Sequence, residues 1–373
     1  MNNNITNISV YKELNEELVD VQNYINIVFD GISIEGNKIF KPSTYPKISV
    51  IITVYNGEPF LKTTLLSIQN QDFKDIEIIM IDDCSQDNSV SLIKELMIKE
   101  PRIVLYQNKE NRGMLYTKTK GILLAKGKYI LLLDEDDIYV QREAFSILYQ
   151  QAEKNNLDIL GFKLVISPPK LKKIEYDRKI VESPIIFQPL LSENMFRHVS
   201  RGRIKIKGGL LTNHFIKRNI IIKVIKQIDE NLLNVKMNFH DDFVIYFLLT
   251  RNAYNLQNID RIFYIALRGW NTTDEKIKFR NKNKMKNKKY MRCSSLLNFI
   301  EFILKYTKNT YYDKKIAFYS FNRWFLNYWC RNFKATLERA INISYLYLNN
   351  KYIQDGDKIK IKKFLKEAKI QNF

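Results

Sequence analysis

Residues Ile130 to Tyr139 read ILLLDEDDIY: four aliphatic side chains run without a break into Asp134, Glu135, Asp136 and Asp137. An uninterrupted apolar run of this length suits a parallel strand buried on both faces, and open α/β sheets bind ligands where such strands end at their carboxyl edge. Four adjacent acids repel one another. A divalent cation relieves that repulsion, because a hard ion such as Mg²⁺ takes one or two carboxylates together with the phosphates of a substrate. On this stretch alone the acids read equally well as a metal site or as a solvated turn.

Outward from this stretch, strands and helices alternate from Lys47 to Lys163. Ile48–Val54 (ISVIITV) is a β-branched strand, turned by Asn56-Gly57-Glu58-Pro59 into a helix with Leu61, Leu65 and Ile68 on one face. Ile76–Ile81 is a second strand. After the polar loop DDCSQDNS comes a helix marked by Leu92, Ile93, Leu96 and Met97 and ended by Pro101. Asp82 and Asp87 read as caps for that helix. Ile103–Tyr106 is a third strand, Leu115–Lys126 a third helix closed by Gly127, and Tyr129–Leu133 a fourth strand. A helix over Gln141–Lys154 leads into Leu157–Lys163. Such βαβ alternation predicts an α/β fold, with a largely parallel sheet covered by helices on both faces.

The flanks are less regular. Residues 1–45 form an accessory segment, with a helix predicted over Val10–Ile27 and a short hairpin turned at Gly31 and Gly36. Beyond Pro168-Pro169 we expect a helix near Glu193–Val199, a basic strand or turn at RGRIKIKGG, acids at the start of a helix over Phe243–Leu249, and a strand in IDRIFYIALRG. The run Lys276–Lys289 reads as a solvated basic linker, and Leu296–Phe373 as mostly helical and aromatic.

Composition sets the outer limits. The chain has 373 residues, 45% of them apolar, enough for one large or two ordinary domains. No stretch reaches the roughly 18 to 20 apolar residues that cross a bilayer, and no secretory signal is evident, so a cytoplasmic location is expected. Cys84, Cys293 and Cys330 stand apart without a C-x-x-C pair, which argues against a disulfide framework or a zinc knuckle. The net charge of +20 invites nucleic acid, an anionic membrane surface or a nucleoside diphosphate, and charge alone does not choose.

Four ordered blocks carry a resemblance: PKISVIITVYNGEPFL, IEIIMIDDCSQDNS, NRGMLYTKTKGILLAKGKYILLLDEDD, and FHDDF followed by YIALRGWNTT. In this order the chain resembles the family 2 glycosyltransferases, nucleotide-sugar-dependent enzymes of the GT-A fold, closely over Pro46–Phe162 and loosely to Thr273. The resemblance implies a GT-A domain over 46–275, with a nucleotide-sugar half (46–163) and an acceptor half (164–275), followed by a basic and helical region over 276–373.

It further implies that Thr53 and Tyr55 line the base and ribose and that Asp83 accepts the N3–H of uracil. A carboxylate there discriminates against a base that offers only a lone pair. The Asp-x-Asp signature falls on Asp134 and Asp136. In an extended chain i and i+2 point to one side, so both would face the ligand while Glu135 and Asp137 serve as scaffold. Asp136 would hold Mn²⁺ or Mg²⁺ at the diphosphate, with Asp134 near the ribose or the metal. Asp241-Asp242 stands where the family has Glu-Asp, making Asp242 the candidate base and Asp241 its support. Lys118-Thr119 replaces an Arg-Asn pair, so Lys118 becomes a nucleotide contact, and Arg268 would close over the diphosphate. His240 reads as structural, and no histidine follows it to complete a metal site. The implied partners are a UDP-sugar donor and a glycan, protein or lipid acceptor, with no nucleic acid; peripheral membrane contact through the basic C-terminal region stays open, as does the oligomeric state. Two rival readings are a sugar-phosphate nucleotidyltransferase and a non-catalytic basic binding protein of the same fold.

Overall fold

The computed structural model describes residues 33–36, 45–167, 182–183, 185–187, 211–238, 241–267, 294–305, 334–348 and 355–370. Its strands are β1 (Ser33–Gly36), β2 (Ile48–Val54), β3 (Ile76–Asp82), β4 (Ile103–Gln107), β5 (Tyr129–Asp134), β6 (Ile138–Tyr139), β7 (Ile159–Ser167), β8 (Ile186–Phe187), β9 (His214–Lys217) and β10 (Asn255–Leu267). The helices are α1 (Leu61–Gln69), α2 (Ser89–Lys99), α3 (Met114–Leu124), α4 (Ala144–Lys154), α5 (Arg218–Ile225), α6 (Glu230–Leu233), α7 (Asp241–Asn252), α8 (294–305), α9 (Lys334–Leu348) and α10 (Asp355–Ile370).

All ten strands join one sheet in the order β1-β4-β3-β2-β5-β9-β7-β10-β6, with β8 on the side of β10. The parallel block β4-β3-β2-β5 is the alternating region read from sequence. β2 and β3 are buried at every position, as their β-branched composition requires of a strand covered on both faces. Beyond β5 the sheet becomes mixed. β9 runs antiparallel between β5 and β7, and β7 pairs in parallel with β10.

Alternation divides the core into two layers. Ile51, Ile79, Ile81, Ile130 and Leu132 face α3, α5, α7 and the C-terminal helices, whereas Val50, Ile52, Met80, Leu131 and Leu133 face α1, α2 and α4. α3 lies so close that a Cβ on Gly121 would stand 2.5 Å from Ile51 Cγ2 and 2.9 Å from Ile81 Cδ1. At the amino edge, Glu77 is buried and satisfied, accepting from Ser49 Oγ at 2.5 Å and from the backbone N–H groups of Lys126 and Gly127.

Three expectations change. Ser33–Gly36, read as part of a hairpin, pairs antiparallel with β4 and extends the sheet edge; the remainder of that hairpin lies outside the described residues. The acids after β5 are not extended. Asp134 ends the strand, and Glu135 and Asp136 form a turn closed by the Asp137 N–H on Asp134 O at 3.2 Å, which ends the i, i+2 alternation. The stretch NHFIKRNIIIKV, for which the sequence reading names no element, forms strand β9 and helix α5. The predicted helices at Val10–Ile27 and Glu193–Val199, RGRIKIKGG and Lys276–Lys289 lie outside the described residues.

Candidate active site

The sheet register brings the site together. Thr53 at the end of β2 lies opposite Asp134 at the end of β5, and Val54 lies opposite Asp82 at the end of β3. Thr53 and Asp134 continue the row of Ile51 and Leu132, so they point toward α3 and α7. Among the described residues, Thr53 Oγ1, Asp134 Oδ1 and Thr119 Oγ1 are buried atoms without a hydrogen-bond partner. Such atoms are uncommon in folded proteins and cluster where ligands or ions bind.

Lys118 reaches into this corner from α3. Its Nζ donates to Asp242 Oδ1 at 2.8 Å, is ion-paired with Asp241 Oδ2 at 2.9 Å, and stands 3.7 Å from Asp134 Oδ1. The side chain is 4% exposed. Burial pulls its pKa down, but the carboxylates of Asp241, Asp242 and Asp134 more than reverse this and hold it well above the usual lysine range. Asp241 and Asp242 open α7, where the helix dipole favours negative charge. Burial pushes Asp242 up to about 7, with Asp241 and Asp134 adding to the rise and Lys118 opposing it.

The neighbouring acids take separate roles. Asp137 is buried and accepts from Tyr264 Oη at 2.6 Å, while Glu135 packs over Gly57 and its carbonyl accepts from Thr64 Oγ1 at 2.7 Å. Both therefore serve the turn. Asp136 is 4% exposed and Asp134 half-buried. Among the described residues no three acidic, histidine or cysteine side chains form a ready metal cage. An octahedral hard cation needs only one or two carboxylates when a diphosphate supplies further oxygens, so Asp134, whose buried Oδ1 accepts no hydrogen bond, and Asp136 fit such an ion arriving with its ligand.

On the other side of Thr53, two loops are stitched together. Asn56 N–H donates to Ser85 Oγ, Gln86 N–H to Asn56 Oδ1, Gly57 N–H to Ser89 Oγ and Glu58 N–H to Asp87 Oδ2, all between 2.8 and 3.2 Å. Asn56 and Cys84 hold positive φ, 56° and 61°, a strained backbone that persists only where the surroundings enforce it. Asp87 also accepts from the Ser89 N–H at the start of α2, whereas Asp82 ties the loop through the Ser85 N–H. Tyr55 lies half-buried beside this seam.

Asp83 is 3% exposed and sits before the amino end of α3. Its Oδ1 accepts from Asn108 Nδ2 and the Arg112 N–H, and its Oδ2 from the Gly113 N–H, each at 2.8 Å. Gly113 has φ 88°, a conformation that L side chains resist, and a Cβ there would stand 2.7 Å from Asn238 Oδ1. Burial pulls the Lys120 ammonium down to about 8, with Asp83 opposing, so it remains mostly charged at neutral pH. Asn108, Lys120 and Tyr264 had no assigned role in the sequence. The blocks containing the two α3 lysines were legible, but their buried partners lie on other elements. Arg268 and His240 lie outside the described residues.

Comparison with known proteins bears on the family and the fold. The model of "Glycosyl transferase family 2" matches residues 49–224. The chain is 36% identical over 138 residues to the GalNAc(5)-diNAcBac-PP-undecaprenol beta-1,3-glucosyltransferase of Campylobacter jejuni, covering 37% of this chain and 44% of that one. It is 27% identical over 245 residues to the cholesterol galactosyltransferase of Borreliella burgdorferi, covering 64% and 65% respectively. Each match thus spans less than two thirds of the relative's own length. Among solved structures, S. aureus TarS 1-349 in complex with UDP superposes with a TM-score of 0.56 at 15% identity, covering 87% of this chain and 91% of that one. At that identity the likeness concerns the fold, a GT-A-like sheet with a helical C-terminal part. Residues 49–224, which carry the parallel block, the acid-tipped strand β5 and helix α3, thus match the family 2 glycosyltransferases.

Proposed function

We propose that this chain is an inverting glycosyltransferase that moves a sugar from a UDP-sugar to a hydroxyl of a glycan or lipid-linked acceptor. One observation carries the reading: Asp134 at the end of β5 and Asp242 at the start of α7 both lie within 3.7 Å of the Lys118 ammonium. A candidate diphosphate site and a candidate base therefore share one corner. The donor nucleotide lies across the ends of β2 and β3, with Thr53 and Tyr55 beside base and ribose and the base facing Asp83. S. aureus TarS 1-349, a solved neighbour of this fold, is known in complex with UDP and with UDP-GlcNAc, in keeping with a uridine donor. The names of the Campylobacter and Borreliella relatives include a polyprenol-linked glycan and a sterol, which favours a glycan or lipid acceptor over a protein.

In the reaction, Asp242 takes the proton of the acceptor hydroxyl as its oxygen attacks the anomeric carbon. The bond from that carbon to the diphosphate oxygen breaks on the opposite face, and its electron pair leaves with UDP, through an oxocarbenium-like transition state. A pKa of about 7 suits a base at neutral pH, because it combines a useful deprotonated fraction with real basicity. Lys118 keeps Asp242 and Asp241 from repelling Asp134 and orients the Asp242 oxygen. Asp134 and Asp136 would hold Mn²⁺ or Mg²⁺, which when bound supplies Lewis-acid stabilisation to the departing diphosphate. By the family resemblance, Arg268 closes over that group.

The test is release of UDP from a panel of UDP-sugars with Mn²⁺ or Mg²⁺. Asp136→Ala should abolish turnover, and undiminished release would overturn the metal assignment. Asp242→Asn should bind donor as before yet lower transfer by roughly 10²- to 10⁴-fold. Normal transfer in that variant would place the base elsewhere.

A further inference from the structure

Helix α3 buries two lysines, and only Lys118 is accounted for by carboxylates. Lys120, 2% exposed, directs its Nζ at Asn108 Oδ1, 2.7 Å away. An ammonium has donors and no acceptor, so the Asn108 amide can meet it only with its oxygen. This fixes the other end of the amide. Asn108 Nδ2 donates to Asp83 Oδ1 at 2.8 Å and to Thr117 Oγ1 at 3.1 Å. Thr117 spends its own proton on Gly113 O at 2.9 Å, so toward Asn108 it can only accept. Every group in the chain Lys120–Asn108–Asp83 therefore has one permitted direction, and that direction begins at the buried ammonium.

The consequence falls on Asp83. Its Oδ1 receives two donors and its Oδ2 one, the N–H of Gly113. A carboxylate oxygen accepts about two hydrogen bonds, so Oδ2 keeps one acceptor position. We propose that Lys120 and Asn108 are specificity-determining positioning residues: they hold Asp83 as an acceptor, so that the site takes a nucleobase with a ring N–H, such as uracil, and rejects one with a ring lone pair, such as cytosine. The proposal rests on the reading of Asp83 as the partner of the base and deepens it. Without Lys120 the Asn108 oxygen loses its donor, and the amide is held only through Asp83 and Thr117. Asp83 is then no longer fixed where the N–H of a base meets it.

The experiment is titration calorimetry of the full chain with UDP and with CDP, each with Mn²⁺. The wild type should prefer UDP by about tenfold or more, since a mismatched base leaves a buried acceptor unpaired. Lys120→Met should bring the ratio of the two affinities to within about threefold of one. Asn108→Asp, which keeps size and still answers Lys120 but offers Asp83 no donor, should weaken UDP at least tenfold more than CDP; it carries the test should Lys120→Met not fold. Loss of affinity for both nucleotides by one common factor in Asn108→Asp would show a merely structural network and overturn the proposal. Asp83→Asn separates the two layers of inference. If it leaves the ratio at its wild-type value, the reading of Asp83 itself fails. If it collapses the ratio while Asn108→Asp and Lys120→Met do not, the roles of Lys120 and Asn108 fail alone.

Discussion

Lys118 changes meaning most between sequence and structure. Read beside the Arg-Asn pair of its relatives it is a nucleotide contact; in the fold its ammonium lies among Asp241, Asp242 and Asp134. A buried cation amid three carboxylates is stable because each group is paired, and removing one partner leaves an uncompensated charge. Asp242 makes a pH prediction. Its folded pKa of about 7 stands above the unfolded value near 3.9, so the folded state holds this proton more tightly. The corresponding stability is present below about pH 4 and lost as pH rises through 7, on the order of a few kcal/mol. Melting temperatures of the wild type should fall across that window more steeply than those of Asp242→Asn; parallel curves would argue against the raised pKa. For the same reason kcat/KM should rise with pH to a plateau above about 7, measured under subsaturating donor.

Helix α3 joins the two halves of the site as an element. Its amino end is held by Asp83 through Arg112 and Gly113, its middle lies on Ile51 and Ile81 at Gly121, and its lysines reach Asn108 on one side and Asp242 on the other. No simple amphipathic stripe results, because Leu115 to Leu123 are all buried. Gly121→Val should cost about 1–3 kcal/mol or more in denaturant unfolding, since the added methyls meet the sheet where neither Ile51 nor Ile81 can yield without moving a core strand. An unchanged midpoint would mean that the helix can lift from the sheet. Because α3 positions both Asp83 and Asp242, the same variant should lower donor affinity and turnover together.

Over the whole molecule, the corner is assembled from distant stretches. β2 and β5 are neighbours in the sheet with three helices and two strands of chain between them, and α7 arrives more than a hundred residues after β5. The antiparallel strand β9 extends the sheet beyond β5 and leads directly into α5, which packs against α7. Helices α8, α9 and α10 add Leu297, Ile300, Ala340, Ile361 and Phe364 to the same core layer. No helix among the described residues is long and apolar enough to cross a membrane. A ligand that binds only the assembled corner should stabilise the whole fold, by about 2.7 kcal/mol at a hundred times its Kd. We therefore expect UDP with Mn²⁺ to raise the melting temperature measurably, and Asp136→Ala to reduce the part of the shift that depends on Mn²⁺. An equal Mn²⁺-dependent shift in that variant would separate nucleotide binding from Asp136.

By itself the sequence determined the parallel block. β-branched runs such as Ile48–Val54 and Ile76–Ile81, spaced by amphipathic helices and punctuated by Pro101 and Gly127, allow little else, because apolar period and turn chemistry are local properties of the chain. It also placed acids at the end of β5 and the start of α7, since both follow directly from neighbouring residues. What only the tertiary structure decided was which polar groups meet. The turn at Glu135-Asp136, the pairing of Lys118 with three aspartates, the alignment of Asn108 by Lys120 and the addition of Ser33–Gly36 to the sheet edge all depend on contacts between residues far apart in the chain. A lysine in a helix has the same local sequence whether it faces water or a buried carboxylate. Only the packing of α3 between the sheet and α7 distinguishes the two, because burial makes each unpaired charge costly and so fixes its partner.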